Sequence, residues 1–277
     1  MNPEEYIEKI TNEAKECFDM AQKARFKGYD PQRTVDIPLV KNVGERVEGL
    51  VGSMAPDIVG KGIPDRVKDL ENEYGTGDWR VAFKISEEVA KKKFCDFESE
   101  QKAMEIAVRV GLAYITLGIV SAPLEGFVEL KIRERKDNKK YVSCYYAGPI
   151  RASGGTASAV SILIADYIRK EMGYEVYDPD ENEINRYITE VEDYHTRISR
   201  LQYHPSKEEI IYLIKNLPIE INGDPTATID VSNYKDLPRV ETNSIRGGMC
   251  LVIGEGLCLK AKKLFKNLKF QAQKHLF

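Results

Sequence analysis

Apolar residues recur at helical spacing over most of the first 120 positions. Asn2-Pro3-Glu4-Glu5 reads as a helix start, with a capping side chain, a proline in the first turn and acids on the positive dipole end. Tyr6, Ile10, Ala14, Phe18 and Ala21 then form one stripe, Gly28 ends the helix, and Asp30-Pro31 breaks the chain. A helix with a single stripe docks either on its own core or on another subunit, so residues 4–27 are a candidate for self-association. Val43, Val47, Leu50, Val51 and Met54 predict a short second helix. Pro64 opens a third through Val67 and Leu70, closed by Gly75, and Trp79, Ala82, Ile85 and Val89 mark a fourth that ends at Lys91-Lys92-Lys93. A strongly apolar fifth helix runs from Ser99 to about Leu117, with Ala103, Ile106, Ala107, Val110, Ala113, Tyr114 and Leu117 inward.

The pattern then changes. Phe127, Leu130 and Ile132 alternate with charged neighbours, Asp137-Asn138 supplies a turn, and Tyr141 to Ala147 returns, which predicts a β-hairpin. Gly148-Pro149 breaks the strand before a helix from about Gly155 to Met172. Ser206 with Glu209 makes a capping box for a helix through Ile210, Ile211 and Leu213. Strand-like pieces lie around Ile219–Ile221 and Thr228–Val231, and a last helix is expected from near Gly248 to Leu268. The fold class expected is α+β: residues 1–30 an amphipathic helix, 31–122 mainly helical, and 123–277 a small sheet packed with helices.

Composition narrows the functions available. The 277 residues are 42% hydrophobic and 31% charged, with 41 Lys+Arg against 44 Asp+Glu and a net charge of -3, so a globally basic nucleic-acid binder is excluded while a local basic face is not. Five cysteines without C-x-x-C spacing read as reduced intracellular thiols. The acidic N-terminus is unlike a secretory signal, and the apolar run Val110–Leu124, interrupted by Gly111, Gly118 and Pro123, falls short of the roughly 20 residues a membrane span needs. A cytoplasmic protein without membrane contact is expected.

Four segments could carry chemistry. Tyr145 to Ala159 joins a strand, a Gly/Pro turn and a helix start at Ser153-Gly154-Gly155-Thr156, where free N–H groups and the helix dipole would favour an anion beside Arg151. The other reading of those small residues is close packing. Between Val231 and Gly248, Lys235, Arg239 and Arg246 alternate with Asn, Tyr and Ser, a mixture suited to phosphate and sugar contacts or to a loop whose arginines pair with Glu241 or Glu255. The hairpin tip Lys131–Lys140 holds six bases and two acids, a solvated edge or a finger against phosphates. From Leu259 onward there are six lysines and no acid, among them Lys260, Lys262 and Lys263. By contrast, Glu175 to Asp193 carries eight acids and one arginine, which argues against that face touching DNA. His195 and His204, with Glu192 one turn earlier, lack a third ligand at metal-binding spacing, and Asp178-Pro179-Asp180 has no basic wall for a triphosphate, so neither a metal site nor a catalytic residue is assigned.

Several of these segments closely resemble, in the right order, the N-terminal region of the large subunit of archaeal family D DNA polymerase. They are Ala122-Pro123-Leu124-Glu125-Gly126, Tyr146 to Arg151 with Gly154-Gly155-Thr156, Arg200 to Ser206, Val231 to Tyr234, and Leu237 to Asn243 running through Ile245-Arg246-Gly247-Gly248 to Val252. The resemblance covers nearly the whole chain. It implies a parent enzyme for template-directed DNA synthesis, with Mg²⁺ and zinc in the full-length large subunit and a small subunit bearing a 3′–5′ exonuclease. In that family the polymerase carboxylates and zinc modules lie beyond this region, so a non-catalytic piece linked to assembly and DNA binding is expected. Its expected DNA contacts are Arg151, Lys235, Arg239, Arg246, Lys260, Lys262 and Lys263. A phosphate-binding small-molecule enzyme built on Gly154-Gly155-Thr156 and a pure oligomerisation scaffold are the alternatives.

Overall fold

The computed structural model describes residues 2–29, 40–117 and 119–273. The Asp30-Pro31 break, Gly118 and the last of the six lysines, Lys274, lie outside them. Met1–Val40 and Lys41–Phe277 are separate compact units. In the first, helix α1 (Pro3–Phe26) begins on a capping box: Glu5 N–H donates to the Asn2 side chain at 2.8 Å, and Asn2 N–H donates to Glu5 Oε2 at 3.1 Å. No residue of α1 is buried, and Tyr6, Ile7, Ile10 and Met20 are exposed.

The second unit opens with four helices, α2 (Val43–Gly52), α3 (Ile63–Tyr74), α4 (Trp79–Ala90) and α5 (Glu100–Ile115), at the places their periodicity predicts. Strands β1 (Phe127–Glu134) and β2 (Lys140–Tyr146) form the antiparallel hairpin, with Leu130 opposite Cys144 and Asn138 in the left-handed region at its turn. Helices α6 (Gly155–Glu171), α7 (Glu181–Arg197) and α8 (Lys207–Asn216) follow. Strand β3 (Glu220–Gly223) then joins β2 in parallel, while β4 (Pro225–Asp230) and β5 (Ser244–Arg246) make a separate two-stranded sheet. The chain ends in α9 (Gly247–Leu251), a wider π-helical stretch (Val252–Cys258) and α10 (Leu259–Gln273). No described helix is long and apolar enough to cross a membrane.

One core crosses the change of texture at residue 122. Ile106 of α5, Phe127 and Tyr146 of the hairpin, Ile164 of α6, Ile221 of β3 and Ile253 are all fully buried in it. The junction itself is held by Arg109, which is buried in α5 beside Glu105 (3.1 Å). Its guanidinium donates to the carbonyls of Pro123 (2.7 Å), Leu124 (3.2 Å), Phe127 (2.7 Å) and Val128. Residue 122 therefore separates sequence textures, not cores.

Helix α7 is the element that composition concealed. Its acids read as a charged face, yet Asp180 and Glu183 form a capping box, and Ile184, Tyr187, Val191 and Tyr194 are buried at helical spacing. Glu190, fully buried on the same helix, lies between two buried arginines. It meets Arg186 Nε at 3.0 Å and Arg246 Nη2 at 2.8 Å. Arg186 also donates to the carbonyls of Tyr234 (3.0 Å) and Thr242 (2.9 Å), and Arg246 to Asn222 Oδ1 (2.8 Å), so α7, β3, β5 and the 231–243 loop share one polar knot. A second knot ties α4 to α6: Glu87 accepts from Lys84 (2.9 Å), Lys91 (2.8 Å) and Tyr167 (2.8 Å). Burial pushes the Glu87 carboxyl pKa up, but Lys91, Lys84 and Tyr167 together outweigh it and hold the value down at about 2.

Removing the shared carboxylate leaves two desolvated cations unpartnered. Glu190→Ala is expected to cost about 3–5 kcal/mol, read from the urea midpoint of unfolding. Glu87 supplies its stability fully above the ordinary carboxyl value of 4.5 and loses it as the pH falls toward about 2. A Glu87→Gln variant should melt below the parent near neutrality, and the gap should close across that acid window in calorimetry.

Candidate nucleic-acid interface

The arginines that the sequence offered to phosphates are largely committed inside the fold. Arg246 is 1% exposed and chelated by Glu190, which corrects its assignment as a DNA contact. Its pairing partner is neither Glu241 nor Glu255. Arg239 lies across Tyr177 and Tyr141, with its guanidinium clamped by Asp178 (2.6 Å) and Glu183 (2.6 Å). Burial opposes its charge, but the two carboxylates outweigh that and raise its pKa above that of a free guanidinium. Arg239 therefore fastens the loop to α7 and is likewise corrected. Lys235 reaches the surface but meets Asp230 at 3.0 Å. Arg151 is 35% exposed; it bonds Glu255 (2.8 Å), the Arg200 carbonyl (3.0 Å) and Ser199 Oγ (3.2 Å), so it sits on a rim with one edge occupied.

The basic hairpin tip is not a free finger either. Arg135 bonds Asp137 (3.1 Å), Lys136 meets Asp180 (2.9 Å), and Lys139 meets Glu175 (2.8 Å). Lower on the hairpin, Lys131 meets Glu241 (3.1 Å) and Arg133 meets Glu220 (3.1 Å). The acidic segment that follows α6 thus supplies counter-charges to the hairpin.

At the helix start, Gly154 takes the left-handed φ of 77° that turns the chain into α6, and Ser153 Oγ donates to the Ile150 carbonyl at 2.6 Å. Gly155 lies directly against the backbone of Glu255 in the π-helical stretch: a methyl group there would overlap the Glu255 carbonyl oxygen. The space left among Ile150, Arg151, Gly155, Ser158, Leu251 and Glu255 is about 10 Å³, room for a water and not for a phosphate. A carboxylate on its wall disfavours an anion further. Close packing accounts for Gly155, the left-handed turn for Gly154 and a bond to the Ile150 carbonyl for Ser153, and the anion cradle expected of Ser153, Gly154, Gly155 and Thr156 is corrected.

Cations without a carboxylate partner among the described residues include those at the chain's end and Arg200 beside α7. Lys262, Lys263, Lys266 and Lys269 of α10 are exposed and Lys260 is half-buried; none has a carboxylate partner among the described residues. Positions 262, 266 and 269 follow i, i+4, i+7 spacing along one face, opposite the buried Leu264. A Cβ on Gly155 would stand 3.1 Å from Lys260 Cε, so this lysine's stem crosses the start of α6 toward Arg151. Arg151 in turn touches Arg200, which is exposed and has no carboxylate partner among the described residues. Arg197 borders the same groove as Arg200, and a second groove with Lys235. A row of basic side chains therefore runs from α10 past Arg151 to the end of α7, in which Arg151 is paired with Glu255 and Arg197 with Asp193 (3.5 Å). Arg197 and Arg200 escaped the sequence reading because their neighbours carry no basic clustering; the signal available was Arg200 inside a family motif.

Residues 5–274 match the family described as DNA polymerase II large subunit DP2, N-terminal. The chain is 50% identical over 263 residues to the DNA polymerase II large subunit of Nanoarchaeum equitans, covering 95% of this chain and 21% of that protein. It is 45% identical over 267 residues to that of Pyrococcus horikoshii, covering 96% and 18%, and 42% identical over 264 residues to that of Methanococcus maripaludis, covering 95% and 22%. It thus spans about a fifth of the length of these relatives. The match extends over both units and includes every motif quoted above, and the chain therefore belongs to the family of N-terminal regions of the archaeal family D (DNA polymerase II) large subunit.

Proposed function

We propose that this chain is a non-catalytic part of a replicative DNA polymerase that holds nucleic acid by its backbone and contributes to assembly. The observation that carries the reading is α10, whose five described lysines stand without an acid on the helix or a carboxylate partner among the described residues. Phosphate binding needs cations of this kind, because an arginine already neutralised by a buried carboxylate releases no counterions from DNA. Template-directed synthesis, its Mg²⁺, the zinc of the large subunit and the small subunit with its 3′–5′ exonuclease belong, on this reading, to the longer enzyme. The described residues hold no group of three or more His, Cys, Asp or Glu suited to a metal. The stripe of α1, none of it buried, favours a further role in self-association through residues 4–27.

With four of the lysines on phosphates, log K against log salt for duplex DNA should have a slope of about -3.6. Replacing Lys262, Lys263 and Lys266 together by glutamate should reduce that slope to about -1, whereas Arg239→Ala should leave it unchanged while lowering the melting temperature. An unchanged slope in the triple variant would remove α10 from the interface. Deleting residues 2–28 should lower the mass in solution without altering DNA affinity, as measured by light scattering and anisotropy.

A further inference from the structure

Beside the cation row, at the end of α7, lies a pair of side chains that neither the core nor the ion-pair knots use. The rings of His195 and His204 are stacked, with centroids 4.1 Å apart and planes 5° from parallel. Both are fixed in orientation. Leu201 N–H donates to His195 Nδ1 at 3.1 Å, which places that ring's proton on Nε2, and His204 Nε2 donates to Glu192 at 2.9 Å. The His204 side chain remains 37% exposed, with His195 covering one face of its ring. An open groove of about 420 Å³ adjoins, lined by His195, Thr196, Arg197, Ile198, Ser199 and Arg200.

We propose that this pair is a stacking platform for an unpaired nucleobase, and that the cation row is the track of a single strand. The inference rests on the nucleic-acid reading above and specifies its substrate class. A preset flat imidazole stack offers a π-face to any base, and the neighbouring Arg200 guanidinium supplies phosphate or stacking contacts to the same nucleotide, whereas Arg197 is engaged by Asp193 (3.5 Å) and the Asp230 carbonyl (2.9 Å). A duplex hides its base faces within its own stack, so it would use the lysines of α10 and gain nothing from the histidines. The adjoining groove, lined by His195 and not by His204, lies in the range of small-ligand sites of about 300–1,000 Å³ and has room for the sugar and phosphate next to a base stacked on the pair. Glu192 stands on the Nε2 edge of His204, away from the ring face that the base would cover, and its charge is shared with that donor.

The test is anisotropy of the 277-residue protein with three labelled oligonucleotides at fixed salt: a single strand, its duplex, and an abasic single strand of equal length. His204→Ala should weaken the single strand about five-fold or more and leave the duplex unchanged. His204→Phe should retain the parent affinity, and the abasic strand should bind parent and His204→Ala alike. Equal losses on single strand and duplex, or no loss on either, would overturn the platform. Loss with Phe265→Ala in place of His204→Ala would move base stacking to α10, where Phe265 is 71% exposed among the lysines, and would overturn it too. If the lysine triple variant loses binding while His204→Ala does not, nucleic-acid binding stands and the platform falls; if the parent binds none of the three probes, both fall.

Discussion

A single buried carboxylate governs how much positive charge this protein can show to the outside. Glu190 is fully enclosed and faces two guanidiniums that are equally enclosed. One negative charge against two positive ones would be costly in a dry interior, where desolvating each ion costs several kcal/mol. The arrangement is tolerable because the carbonyls of Tyr234 and Thr242 and the Asn222 side chain take the remaining donors. Satisfying those donors forces the 231–243 loop to wrap over α7, and the same wrapping carries Arg239 to Asp178 and Glu183. The loop's basic residues serve the fold from within.

The hairpin obeys the same logic at lower burial. Its Lys136 and Lys139 lie far in sequence from Asp180 and Glu175 yet pair with them, and Arg135 pairs with Asp137 beside it. Exposed pairs of this type add little stability individually, about 0–1 kcal/mol each. Collectively they neutralise most of the basic tip that composition advertised, while α10, Arg200 and the hairpin's own Lys140 keep cations without a carboxylate partner among the described residues.

Local physics made much of the fold legible. Helices α1 to α5, the hairpin and α8 announce themselves by caps, periodicity and a turn, all decided by neighbours within a few positions. Helix α7 carries equally good signals in Asp180, Glu183 and the Ile184–Tyr194 stripe, but they are masked by the acids between them. The interface was legible only in part. Arg246 and Glu190 are 56 positions apart, so nothing local distinguishes an arginine bound for the interior from one bound for solvent. The small residues at Gly154-Gly155 were ambiguous for the same reason, since the Glu255 backbone that occupies the space arrives from a hundred residues away. The lysines of α10 could be read because an acid-free helix has no local counter-charge.

Acids and bases nearly balance over the second unit, yet α10 carries five described lysines and no acid, so positive charge is concentrated along that helix. A polyanion approaching α10 would meet attraction that begins about a Debye length, roughly 10 Å at 0.1 M salt, before contact. Such an uneven field turns the partners during diffusion and raises the rate of productive encounters more than it deepens the final bound state.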